Sequence, residues 1–313
     1  MKVIAGNPIE VSLRVLAASM MLALLVVSEL LLAAPAGATL SRSYIPLPEI
    51  LTDPNEGNTY GALAVVLFLD EQKIIKYILA PDVRYNKITG VFPAFRLFGF
   101  PSLDRKWSIV ARKSQHIDED YEFIYQDNSF WQDRLRLSAN LEYERDSTER
   151  FFGFGNGSSE KDESNYTAQE GVGVVRLNYR LQPTLELTYQ SRVRVFRVKE
   201  GGVDNFPFIG DEHPDTPGLG GATMVGQEIG LIYDSRDDTS IPREGGFGLF
   251  SAEFIPRVLG SSFTAIKYAA EVRKFIPFRD RFVFAMHSRI NYLQSNDDVP
   301  FFEQNDVGGR RSL

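Results

Sequence analysis

The chain contains no cysteine in its 313 residues. That excludes disulfides, thiolate metal sites and a cysteine nucleophile together, and it is compatible with an oxidising periplasm. Histidine is almost as scarce: only His116, His213 and His287 occur, so few side chains could shuttle protons near neutral pH. There is no excess of positive charge. The 34 basic residues against 41 acidic ones leave a net charge of -7, which argues against a nucleic-acid partner, because phosphate binding is driven by cations. Downstream of Ala38 no apolar run approaches the roughly 20 residues a spanning helix needs. No Gly-x-Ser-x-Gly elbow is present, so a lipase-type nucleophile has no seat.

Behind these absences stands an export signal. Residues 1–38 combine Lys2 and Arg14, an apolar run from Val15 to Val27, and a small-residue site, Ala36-Gly37-Ala38, before Thr39. Glu10 and Glu29 are atypical of such a segment. The competing reading is an uncleaved anchor over Val15 to Ala34, which approaches spanning length. Glu29 and the Ala-Gly-Ala site favour cleavage and export.

The mature region is a series of short segments in which apolar and charged residues alternate. Leu135, Leu137, Ala139, Leu141 and Tyr143 interleave with Arg134, Arg136, Ser138, Asn140, Glu142 and Glu144. Leu185, Leu187, Tyr189, Val193 and Val195 interleave in the same way with Glu186, Thr188, Gln190, Arg192 and Arg194. On a strand, such residues face opposite sides of the sheet. A soluble sandwich turns the apolar side inward, whereas a membrane barrel turns it to lipid and keeps a wet lumen. Composition allows either: 43% hydrophobic and 24% charged residues, with a mean hydropathy of -0.17, fit a sheet in which alternate residues meet lipid.

Residues 39–58 read as a short periplasmic leader, with Pro46, Pro48 and Pro54 opposing regular structure. Beyond it the pattern predicts about eleven strands, at 59–69, 74–84, 89–99, 106–117, 131–146, 167–181, 184–198, 222–236, 246–257, 262–276 and 281–293. Connections alternate in length. Gln182-Pro183, Phe278 to Asp280 and Asp238 to Gly245 are compact, whereas Thr148 to Asn165, Glu200 to Gly221 and Gln294 onward are long and rich in Gly, Asp, Asn and Ser. Short turns at one end and long loops at the other is the habit of outer-membrane barrels. The predicted fold is therefore all-β, a transmembrane antiparallel β-barrel occupying 59–313. Aromatics near strand ends, among them Trp107, Trp131, Tyr179, Tyr233 and Phe282, fit interfacial girdles, although aromatics favour strands anywhere.

Several motifs lie on this pattern. Asp234-Ser235-Arg236-Asp237-Asp238 ends one strand, and Pro242-Arg243-Glu244-Gly245-Gly246 opens the next, which makes a tight reversal. Phe263 to Tyr268, Val272 to Pro277 and Val299-Pro300-Phe301-Phe302-Glu303-Gln304 follow, then Gly308-Gly309. Upstream lies Phe152-Gly153-Phe154-Gly155-Asn156, between strands rather than ahead of a helix, and so not a phosphate loop. Taken together these segments resemble the barrel domain of the bacterial surface-antigen family, the outer-membrane assembly factors (BamA/TamA-like) and two-partner secretion transporters. The resemblance is strongest from Tyr233 to Leu313.

The resemblance implies a barrel of about sixteen strands whose sixth outer loop folds back into the lumen. In that family the loop carries Gly-Gly, then Ser-Leu, then Arg-Gly-aromatic. Gly308, Gly309, Ser312 and Leu313 match its first part, while Arg310 and Arg311 occupy the spacer. The sequence as given holds no POTRA domains and nothing beyond this motif. The expectation is therefore a fragment or truncated product, because open sheet edges in lipid are costly. The resemblance further implies outer-membrane lipids, client outer-membrane or secreted polypeptides and periplasmic partner proteins as partners, with no cofactor and no enzymatic activity. A passive or structural pore with a charged lumen is the alternative.

The histidines carry little chemistry on this reading. His287 shares a face with Arg289 and Asn291, so it is read as a lumen residue. His213, in Asp211-Glu212-His213-Pro214-Asp215, could join a surface cation site, but a solvated loop is the simpler account. His116 introduces the run Asp118-Glu119-Asp120, read as a charged periplasmic turn. The basic residues Arg176, Arg180, Arg192, Arg194, Arg197 and Lys199 are read as lumen charges paired with Glu142, Glu186 and Glu271.

Overall fold

The computed structural model describes residues 40–53, 57–115, 118–155, 157–203, 205–279 and 281–305. The signal segment, His116, Asn156 and the motif residues Gly308, Gly309, Ser312 and Leu313 lie outside them. The described residues form one 14-stranded sheet, and every strand pairing with a resolved register is antiparallel. The strands are β1 Ser41–Asp53, β2 Gly57–Leu69, β3 Ile75–Leu79, β4 Asp82–Asn86, β5 Gly90–Gly99, β6 Arg105–Lys113 and β7 Glu119–Phe130. They continue as β8 Leu135–Phe151, β9 Ser164–Gln182, β10 Leu185–Glu200, β11 Ala222–Asp234, β12 Gly245–Ile255, β13 Ala265–Phe278 and β14 Phe282–Ser295. Neighbours in sequence are neighbours in the sheet, with β3 and β4 sharing the place between β2 and β5.

Three differences from the predicted strands have physical causes. The stretch read as a leader contains β1, paired residue for residue with β2 from Ser41↔Leu69 to Asp53↔Gly57. Among the described residues β1 is the outermost strand of the sheet, so its prolines can face the side away from β2 without breaking that pairing. The predicted strand at 74–84 is two short strands, β3 and β4, interrupted at Ala80-Pro81. Finally, Glu119–Phe130 is a strand, although its acidic start reads as a turn. Asp118 lies at the long-loop end instead of a periplasmic turn: its carboxylate accepts hydrogen bonds from the Ser147 N–H (3.3 Å) and Oγ (3.1 Å), and the Ser147 carbonyl accepts from Gly202 N–H on the next long loop.

The chain divides into two compact units. The first draws on residues up to Gln126, Ala139–Gly173 and Arg194–Ala222. Its long loops are built rather than loose. Asn165 Nδ2 donates to the carbonyls of Ser147 (3.2 Å) and Glu149 (2.9 Å), and its Oδ1 accepts from Val203 N–H (3.2 Å). The second unit holds Asp127–Ser138, Val174–Val193 and the chain from Thr223 on.

In the second unit burial is inverted relative to a soluble protein. On β10, Thr188 and Gln190 are 3% and 8% exposed, while Leu187 and Tyr189 between them are 38% and 44% exposed. On β12, Ser251 and Glu253 are buried and Phe250 and Phe254 are exposed. Apolar side chains line the outer face and polar ones are enclosed. That is the arrangement lipid outside and water inside would select, and it decides between the two readings that alternation alone leaves open. Among the described residues no helix is long and apolar enough to cross a membrane.

Candidate functional site

The enclosed face of β10–β13 carries an ionic cluster that holds a piece of loop. Arg192 on β10 donates to both oxygens of Glu253 on β12, from Nε at 2.8 Å and Nη2 at 3.0 Å. Its Nη1 donates to Glu303 at 3.3 Å. Lys267 on β13 closes the cluster by donating to the other Glu303 oxygen. Register explains the convergence: Glu253 sits directly opposite Lys267 and also opposite Glu228 of β11. Gly226 makes the room, since a Cβ there would lie 2.0 Å from Glu253 Oε1.

Glu303 belongs to no strand. It ends a single 3-10 turn, Phe301–Glu303, that follows Pro300 after β14. Only 1% of its side chain is exposed, so an isolated carboxylate there would be prohibitively desolvated, and the two cations make it tenable. Beside the cluster Met224, Ile255, Phe263 and Ala265 form an apolar core, against which Val299, Phe302 and Leu293 pack. Residues 299–304 are thus held by an ionic grip at Glu303 and an apolar one at Val299 and Phe302. Chemically, the cluster fixes the position of a segment that would otherwise be a free loop.

The reversal between β11 and β12 is built as its residue types suggest. Arg236 Nε and Nη2 donate to the two oxygens of Asp234 at 2.9 and 2.7 Å. Asp237 accepts from the backbone N–H groups of Arg243 (2.9 Å) and Glu244 (3.1 Å), and Asp238 from those of Ser240 and Ile241. These backbone donors hold both carboxyls below the usual carboxylate range. Gly245 has φ +96°, and a Cβ on it would lie 2.1 Å from the Ser235 carbonyl oxygen, so glycine is required twice over. Pro242 lies in the same turn. Arg236 and Arg273 both stack on Phe247, with centroid distances of 5.1 and 5.3 Å.

The outer-loop motif is a packing device. Gly153 and Gly155 take left-handed φ values of +90° and +76°, which turn Phe154 back onto Phe151 at 5.2 Å, and Phe152 stays exposed. His213 packs edge-on against Phe151 at 5.1 Å and its Nε2 lies 2.9 Å from the Asp162 carbonyl oxygen. It is therefore a half-buried loop residue that packs the loop together. No group of His, Asp and Glu suited to a metal occurs among the described residues.

The lumen-charge expectations hold in part. Arg136 and Arg180 pair with Glu186, and Glu271 meets Arg273 and His287. Arg194, however, binds Glu170 at 2.7 and 2.9 Å. Arg197 and Lys199 are exposed, because their parity is opposite to that of Arg192 and Arg194 and the buried Phe196 takes the enclosed place. The ionic cluster was missed as a unit. Its signal was present in the carboxylate of Pro-Phe-Phe-Glu, inside an apolar motif that has no use for a charge unless a cation meets it.

An all-strand sheet with an apolar exterior, an ionic interior and a loop drawn inward defines a class, the outer-membrane β-barrel. The comparisons narrow it. The Omp85 superfamily domain matches residues 105–313, and the chain belongs to that superfamily. Among solved structures it is similar to BamA from Haemophilus ducreyi lacking POTRA domains 1-3, at 13% identity and a TM-score of 0.52, over 86% of this chain and 50% of that one. The chain thus spans about half the length of that structure. No curated protein matches. Family and fold together make this a bacterial outer-membrane protein of the assembly and translocation family.

Proposed function

We propose that this protein is exported through its residues 1–38 and assists insertion or passage of polypeptides at the outer membrane, without covalent catalysis. The reading rests on one observation above others: residues 299–304 are drawn onto the enclosed face by Arg192 and Lys267 through Glu303. A solute pore is served by an open lumen. A protein that handles polypeptide is better served by an occupied lumen whose exposed strand edges do the work. In this reading such edges offer backbone donors and acceptors to an incoming strand, the physics of β-augmentation. Clients would be outer-membrane or secreted polypeptides, delivered by periplasmic partner proteins.

Depletion in the native host tests this, with outer-membrane protein levels as the readout. The expected result is a fall in several barrel proteins at once. Unchanged levels, together with a large, steady, ion-selective current from the reconstituted protein, would refute it in favour of a passive pore.

A further inference from the structure

On the outer face of the first unit, side chains of β6, β7 and β8 gather at the long-loop end. Tyr121 of β7 and Tyr143 of β8 are both exposed and stack with ring centroids 6.2 Å apart and planes 28° apart. Exposed tyrosines at a strand end mark the level where hydrocarbon gives way to lipid headgroups. Arg145 follows two residues past Tyr143, so it shares that face and lies farther out. Lys113 ends β6 on the same face, since Ala111, two residues before it, pairs with the exposed Phe95.

The charges here are unequally met. Lys113 donates to Glu119 at 2.9 Å, and its ammonium feels the charges of both Glu119 and Arg145. Arg145 has no acid of its own. Its Nε is shut away from solvent without a hydrogen-bond partner, and no carboxylate among the described residues pairs with it. Two cations therefore share one carboxylate, and the spot is short of one negative charge. Against hydrocarbon such a cation is costly, whereas at headgroup level a lipid phosphate meets it.

Below Arg145 the neighbouring strand offers no side chains. Glu170 pairs with Arg194 on the enclosed face, so Gly171 and Gly173 lie on the outer one, with the exposed Val175. A Cβ on Gly173 would touch Leu141 at 3.4 Å, and a Cβ on Gly171 would meet nothing within 4 Å. β8 and β9 run antiparallel, with Arg180 N–H on the Arg134 carbonyl at one end and Asn165 on the Glu149 carbonyl at the other. Gly171 thus sits beside Tyr143. The result is a strip of bare backbone, about one strand spacing of 4.8 Å wide, which an acyl chain fills. Glycine weakens a strand interior and marks a place where something else approaches the backbone closely.

We propose that this is a lipid site: Arg145, with Lys113 beside it, holds a phosphate of a lipopolysaccharide molecule, and one acyl chain lies along Gly171 and Gly173. The position commits the occupant, because the long-loop end faces the cell surface and the outer leaflet there is built of phosphorylated glycolipid. Occupied, the site braces β8 against β9 where two glycines weaken the sheet. It rests on the chain being an outer-membrane barrel and not on the assembly role.

The full chain in phosphatidylethanolamine–phosphatidylglycerol vesicles tests it, with a trace of diphosphorylated lipid A bearing a photoreactive acyl chain as the probe. Illumination should place most crosslinks in peptides 139–145 and 169–175. Arg145→Gln should cut their yield about tenfold or more through loss of a charge-assisted contact. Lys113→Gln should cut it only about threefold, because Glu119 already occupies that cation. Gly171→Leu keeps both charges and fills the strip, so it should drive the crosslinks off β9; unchanged hydrogen exchange of β13 shows that each variant is folded. Dephosphorylated lipid A should label the unaltered protein as weakly as the diphosphorylated probe labels Arg145→Gln. Crosslinks spread evenly over the outer face, or unaltered in both Arg145→Gln and Gly171→Leu, would overturn the site. Labelling lost as readily to added phosphatidylglycerol as to added unlabelled lipid A would overturn the glycolipid as its occupant. The readout needs no client polypeptide.

Discussion

Replacing Arg192 with an apolar residue should undock residues 299–304 more severely than neutralising Glu303 as glutamine. Arg192 is shared: two of its contacts go to Glu253, at 2.8 and 3.0 Å, and two longer ones to Glu303, at 3.3 and 3.5 Å. Arg192→Met leaves two buried carboxylates to a single ammonium, Lys267, with Glu228 also opposite Glu253. Removing one partner of a buried pair costs about 3–5 kcal/mol. Glu303→Gln is gentler, because the amide still accepts a hydrogen bond and Arg192 keeps both of its contacts to Glu253, so its cost should be about 2 kcal/mol. At 1.4 kcal/mol per tenfold, the docked population falls roughly thirtyfold for Glu303→Gln and by more than a hundredfold for Arg192→Met. Hydrogen exchange of residues 299–305, referenced to β13 in the same vesicles, reads both values. The double variant decides whether the cluster is one unit. Since Glu303→Gln removes a charge that Arg192→Met strands, the pair should cost less than the sum of the singles. Strict additivity, or undocking that appears only when β12 and β13 also open, would refute the shared-cation argument.

The β11–β12 turn supplies two more tests. Gly245→Ala forces a side chain into φ +96° and against the Ser235 carbonyl, which should cost about 2 kcal/mol or more in urea unfolding, whereas Gly248→Ala, where the nearest atom is 4.0 Å away, should cost less than half as much. The carboxyls of Asp237 and Asp238 are held low by backbone donors, so their support of the turn is complete above the unfolded carboxylate value of about 4 and is lost as pH falls through the lower folded value. Protection of the Arg243, Glu244, Ser240 and Ile241 amides should accordingly be flat from pH 7 to about 5 and collapse only below about 4; a loss centred near pH 6 would contradict it.

Alternation was legible because it is a local property with a period of two. From it came the strands from β8 on and the contrast between short turns and long loops. The orientation of the sheet was legible only through that contrast, and the enclosed Thr188 and Gln190 between exposed Leu187 and Tyr189 now carry it directly. β1 was hidden because proline reads as a breaker unless the strand is known to lie at an edge, and edge status is set by the order of the whole sheet. β7 was hidden behind Asp118-Glu119-Asp120, a run of like charge that suggests solvent until counter-ions are visible. One of these is Arg112, 2.7 Å from Asp120.

Which ions meet is a different kind of information from which face they occupy. Parity placed Arg192 and Arg194 together on the enclosed side, yet they serve different carboxylates, Glu253 with Glu303 in one case and Glu170 in the other. Partner choice is decided by register between strands far apart in sequence, and register follows from hydrophobic matching summed over the whole sheet. Glycine is where that hidden register leaves a trace. Gly226 leaves room for the Glu253 carboxylate and Gly61 leaves room for the Arg84 arm, and in each case a strand residue without a side chain marks the place where a charge from the neighbouring strand crosses. A glycine inside an otherwise alternating strand weakens that strand. In this sheet a side chain at Gly226 would displace the Glu253 carboxylate, and one at Gly61 would also meet the Val83 carbonyl oxygen at 2.8 Å, so each ion pair, Arg192 with Glu253 and Arg84 with Glu49, would have to shift if another residue stood there.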